Sequence, residues 1–247
     1  MKTLAKFARA GDRMISFIAA ALMLLMLCYG GYSLWDTSMI NRGAFVSNEL
    51  LKFKPSSGDT QNPTLAELQR INPEVRGWLT IDDTHIDYPV VQGENDMDYI
   101  NKDVYGDFSL SGSIFMDSRN SPDFSDAYCL VYGHHMANGG MFGDVTEFVN
   151  ASYFEKHLTG TLYLPEKTYK ITLFACVEVD AFDSVIYNPT TQEKGNIGEL
   201  LAYIREAAVQ YRDIGIMEKD SVIGLSTCAE SATNGRVVLF GRLDKLE

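Results

Sequence analysis

The sequence predicts a mainly β domain with flanking helices (α+β), folded as a closed or nearly closed eight-stranded barrel. Three observations carry this. Eight short runs rich in β-branched and aromatic residues recur after residue 74, separated by turn-forming residues. Only one long stretch among them, "NIGELLAYIREAAVQYRDI", keeps a helical period, with Ile197, Leu200, Leu201, Ile204, Ala208 and Tyr211 on one face. The chain has 247 residues, 46% of them hydrophobic, enough for one good-sized core plus appendages.

In order, residues 1–13 form a short basic tail with Lys2, Lys6, Arg9 and Arg13. The uncharged run "MISFIAAALMLLMLCYGGYSLW", residues 14–35, is long enough to cross a hydrocarbon core of roughly 30 Å. Tyr29, Tyr32 and Trp35 end it as an interfacial belt would. The basic flank comes first, so the expectation is a single-pass anchor with a cytoplasmic N-terminus and an outer domain. A cleaved signal peptide is the rival. It would have a shorter apolar core and a small-x-small site, which this run lacks. Residues 36–62 are polar and mixed, read as a juxtamembrane helix and linker, with the main domain over residues 63–247. In "PTLAELQRIN", Thr64 and Glu67 have capping-box spacing and predict a helix start. "GWLTIDDTHIDYPVVQ" reads as two strands about an Asp-Asp turn. "GSIFMD", "AYCLVYG", "GTLYLP", "YKITLFACVEV", "SVIGLSTC" and "RVVLFGRL" are the remaining six, with the helix packed on the barrel wall.

The formal net charge of −12, with no basic block beyond the N-terminus, argues against nucleic acid as a partner. Of the four cysteines, Cys28 lies in the apolar run, and Cys129 and Cys176 sit in apolar strands as small core hydrophobes. Cys228 ends a strand among Ser, Thr, Ala and Glu and is the thiol expected to be exposed and free. His134 and His135 follow Gly133 at another strand end. Neighbouring side chains on an extended chain point to opposite faces, so only one can face a given site. His85 and His157 have no metal-ligand spacing, so neither a metal nor another cofactor is expected.

A thiol, an imidazole and a guanidinium can together perform acyl transfer. With a pKa near 8.5, only about 3% of a free thiol is thiolate at pH 7, and an adjacent imidazole raises that share or takes the proton. The resulting oxyanion needs donors, which Arg236 can supply from the strand after Cys228. The spacing leaves open a strand arginine whose head is simply solvated.

"LSTC" with a downstream arginine, and "YGHH" upstream, resemble the sortases, membrane-anchored transpeptidases of Gram-positive bacteria. "INPEVRGWLTIDDTHIDYPVVQGENDMDYINKDVYG", "GSIFMD" and the helix before the cysteine strand resemble class B of that family. The resemblance covers residue 64 to the end. It implies the sortase eight-stranded barrel, N-terminal helices, and no metal. It implies Cys228 as nucleophile, His134 as general acid/base and Arg236 for the oxyanion and substrate. Ser226 and Tyr187 would line the substrate groove. Ala229 departs from class B members that carry an acidic residue there, with Glu230 one place later. The implied partners are secreted proteins with a C-terminal sorting signal and an amine of a peptidoglycan precursor or pilin. A hydrolytic Cys-His peptidase on the same scaffold and a non-catalytic tethered binding domain are the alternative readings.

Overall fold

Side chains alternate across each strand, and here that alternation fills a barrel and leaves two outer walls to be covered. A computed structural model describes residues 2–56, 61–192, 197–228 and 234–246. The chain divides into two units, Met1–Arg42 and Gly43–Glu247. The first is the helix α1 (Lys2–Gly43), whose segment Arg9–Met39 is long and apolar enough to cross a membrane. This is compatible with an anchor.

In the second unit, a short 3-10 turn (Leu50–Phe53) and α2 (Pro63–Ile71) precede the strands. These are β1 (Val75–Ile81), β2 (Asp87–Val91), β3 (Ile114–Met116) and β4 (Tyr128–Tyr132). After α3 (Ala151–Lys156) come β5 (Thr159–Leu164) and the long β6 (Lys167–Asp180). Then follow α4 (Gly198–Ala207), β7 (Ala208–Tyr211), β8 (Ser221–Cys228) and β9 (Gly235–Lys245). Neighbours run β5-β1-β2-β3-β4-β8-β9-β6, and β6 pairs back onto β5, so eight strands close the barrel. The ninth, β7, adds to β6 beyond its β5 segment.

One face of the strands fills the lumen with Leu79, Val90, Val131, Leu173, Ile223, Leu225 and Leu239. The opposite face of β4, β8 and β9 carries Tyr128, Leu130, Val222, Val238 and Phe240, covered by Leu200 and Ile204 of α4. Burying each of those two aliphatic side chains contributes about 1.5–3 kcal/mol. Elsewhere Leu65 and Leu68 of α2 cover Trp78.

Two local expectations are corrected. The capping box does not form. Pro63 takes the first helical turn, and the preceding Asn62 turns its amide to the Leu164 carbonyl (2.7 Å) and Thr168 Oγ1 (3.0 Å). Thr64 is thereby inside the helix. The helical stretch after residue 196 also ends early. Ala208 turns extended (φ −66°, ψ 127°) and residues 208–211 pair with β6, because an unpaired strand edge offers a ladder that outweighs the continuing helical period. Asn196, where that stretch begins, lies outside the described residues. The Asp-Asp turn between β1 and β2 is present, with Asp83 at φ 60°, a conformation Asp tolerates. Of residues 36–62, the first eight belong to α1, and Leu50 beyond them is buried in the second unit.

Candidate active site

Three adjacent strands bring the chemistry together. Tyr132 on β4 lies opposite Ser226 on the parallel β8, and Cys228 lies opposite Arg236 on the antiparallel β9. By the two-residue period, Tyr132, Ser226, Cys228 and Arg236 share the outer face with the core under α4. A groove of about 390 Å³ runs along this face, with His134, Arg236, Ser226 and Tyr187 in its walls. Cys228 is placed by its backbone, two residues beyond Ser226; its side chain, like Ala229 and Glu230, lies outside the described residues.

The parallel pairing of β4 and β8 sends both C-terminal ends to the same place, so His134 emerges beside the cysteine. The Gly133 amide donates to the Ser226 carbonyl (3.1 Å), extending the ladder one step. His134 Nε2 lies 2.9 Å from the Ile100 carbonyl. A carbonyl only accepts, so Nε2 bears the hydrogen, and in the neutral ring Nδ1 is the basic nitrogen. His135 points elsewhere, into a separate cleft where His85 Nδ1 meets Asp144 at 3.0 Å. A Cβ at position 133 would sit 2.5 Å from Ile114 Cδ1 and 2.7 Å from Phe142 Cγ, both on buried side chains. Gly133→Ala is therefore expected to destabilise the fold by about 1–3 kcal/mol, read by thermal unfolding. An unchanged midpoint would show that the strand end relaxes freely.

The groove wall is backed by a network around Asp117, Arg119 and Tyr132 that the sequence alone does not reveal. The Asp117 side chain, fully buried, takes Arg119 Nε (2.8 Å) and Nη2 (2.6 Å) and the Tyr132 hydroxyl (2.8 Å). Burial opposes its ionisation, but the hydrogen bonds from Arg119 and Tyr132 outweigh it and hold the carboxyl below its usual range. Burial and the neighbouring Asp117 push the Tyr132 phenol well up. Arg119 Nη2 also donates to the Tyr187 carbonyl (3.0 Å). The Tyr187 hydroxyl and Ser226 Oγ share a hydrogen bond of 2.9 Å, and the rings of Tyr132 and Tyr187 stack at 6.4 Å. The only sequence signal for this network was the aspartate that ends "GSIFMD" and an arginine two places later. Among the described residues, no three His, Cys, Asp or Glu side chains gather as metal ligands. Cys129 and Cys176 are buried. Burial holds the Cys129 thiol far above its usual range and raises Cys176 to about 12, so both stay protonated.

A family profile described as the sortase domain matches residues 79–244. Sortase B of Listeria monocytogenes is 31% identical over 181 residues, 72% of this chain and 73% of that protein. Among solved structures, a Streptococcus pyogenes class B sortase involved in pilus biogenesis is similar at 43% identity and a TM-score of 0.67. The match covers 73% of this chain and 97% of that one. Sortase B of Staphylococcus aureus in a substrate complex is similar at 27% identity and a TM-score of 0.68, covering 76% and 88%. With the profile spanning the barrel and these relatives sharing it, the chain belongs to class B of the sortase family, the cysteine transpeptidases.

Proposed function

We propose that this chain is a membrane-anchored transpeptidase that cuts the C-terminal sorting signal of secreted proteins and joins them to an amine. The observation carrying this reading is the convergence of β4, β8 and β9 on one groove, with Cys228 opposite Arg236 and His134 in the groove wall.

Cys228 is the nucleophile. Its thiolate attacks the carbonyl of the signal's Thr, and Arg236 holds the oxyanion that forms. The C–N bond breaks as His134 protonates the departing amine, leaving a thioacyl-enzyme. An acceptor amine then attacks the thioester, losing a proton to His134 and releasing the Cys228 thiolate. Ser226 and Tyr187 line the signal's path. The acceptor is an amine of a peptidoglycan precursor or a pilin lysine; the likeness to a pilus-biogenesis sortase supports the pilin arm. The N-terminal helix anchors the enzyme in the cell membrane with the catalytic unit outside, where secreted proteins and wall precursors meet it.

The test uses the full chain in detergent with quenched sorting-signal peptides, with and without triglycine or a lysine peptide. Cleavage with amine-ligated product is expected. Hydrolysed product alone at saturating amine would make the enzyme a Cys-His peptidase. No turnover, with thiol reagents showing no preference for Cys228 over Cys129 and Cys176, would leave only a tethered binding domain.

A further inference from the structure

Arg119 stands in the groove wall with its guanidinium already half committed. Nε and Nη2 bind the buried Asp117, and Nη2 also holds the Tyr187 carbonyl. The side chain is nonetheless 42% exposed, and it lines the same groove as His134 and Arg236. A guanidinium has five N–H groups in a fixed plane, and those on Nη1 are not used by Asp117 or Tyr187. A charged donor locked in orientation by a buried carboxylate loses little freedom when it takes a further acceptor.

We propose that Arg119 is a specificity-determining residue that takes a side-chain acceptor oxygen, carboxylate or carboxamide, of the sorting signal upstream of the cleaved bond. Asp117 fixes the guanidinium plane, and Tyr187 ties it to the wall that reaches Ser226. The inference rests on the groove being the path of the signal.

The test separates binding from turnover. The full chain in detergent carrying Cys228→Ala is titrated with labelled peptides in which each of the four residues before the Thr is in turn Glu, Gln or Leu. At one position Glu or Gln is expected to bind roughly tenfold tighter than Leu, as for a hydrogen bond to a charged group. Arg119→Gln should erase that ratio, and Arg119→Lys should keep part of it for Glu but little for Gln. Each ratio compares peptides on one protein, so partial unfolding of a variant cancels. With Cys228 intact, the preference should appear in KM, with kcat changed less than about threefold. The assignment is overturned if no position prefers an acceptor oxygen, if the preference survives Arg119→Gln, or if that variant lowers kcat equally for every peptide. Discriminating binding without any turnover would sink the transpeptidase reading and leave the role of Arg119 standing.

Discussion

Cys228→Ala is expected to lower kcat/KM for sorting-signal cleavage by at least about 10⁴-fold, to the level of the uncatalysed peptide. The two other thiols of the catalytic unit cannot substitute, because Cys129 and Cys176 are buried, with thiols held protonated. His134→Ala should fall nearly as far, and the double variant no further, because in the proposed mechanism nucleophile and base act as one unit. Arg236→Ala should lose about 10²–10³-fold, the scale of a removed oxyanion donor. Arg236→Lys should recover little of it, since an ammonium lacks the planar fork that spans an oxyanion and a neighbouring carbonyl. Progress curves on one quenched peptide read all five variants. Turnover persisting in Cys228→Ala would remove Cys228 from the chemistry.

Asp117→Asn is the substitution outside the proposed catalytic trio with the largest expected effect. The carboxylate is fully buried and accepts from Arg119 and Tyr132. The amide keeps the shape but replaces one acceptor oxygen with a donor and leaves the guanidinium without its counter-charge. Breaking a buried pair costs about 3–5 kcal/mol, and the low end applies here because Arg119 keeps 42% of its side chain in water. A loss of about 3 kcal/mol corresponds to a midpoint lowered by roughly 6–12 °C for a domain this size. The pH dependence has a definite sign. The folded-state pKa of Asp117 lies below its ordinary value. Its contribution is therefore complete above the unfolded value of about 3.9 and is lost as pH falls through the folded value. The gap between wild type and Asp117→Asn should hold from pH 7 to about 5 and shrink below about 4. A gap that widened on acidification would mean that another group carries the effect.

The barrel was legible because its signal is local. Each strand announces itself by β-branched and aromatic runs, and the covering helix by the spacing of Leu200 and Ile204. What stayed hidden depends on partners distant in the chain. The capping spacing of Thr64 and Glu67 is locally sound, but Asn62 finds better acceptors about a hundred residues away. The end of α4 is decided by the open edge of β6, which no local pattern encodes. At the site, Cys228, His134 and Arg236 stood out as reactive types at strand ends. Asp117, Arg119 and Tyr132 did not, since a charged pair after a strand reads as solvated surface. Only closure of the barrel brings Tyr187 over Arg119 and buries Asp117.

The alternation along β8 sorts mutational damage residue by residue. Ile223 and Leu225 point into the packed lumen, while Ser226 and the strand-ending Cys228 share the outer face with Val222. Inward changes are expected to act on the folded population and, with Cys228 as the proposed nucleophile, outward ones near it on turnover. Selection for altered substrates can therefore work on one side of this strand while leaving the other untouched. The lumen keeps the thiol's address, and the outer wall is where the enzyme can diverge.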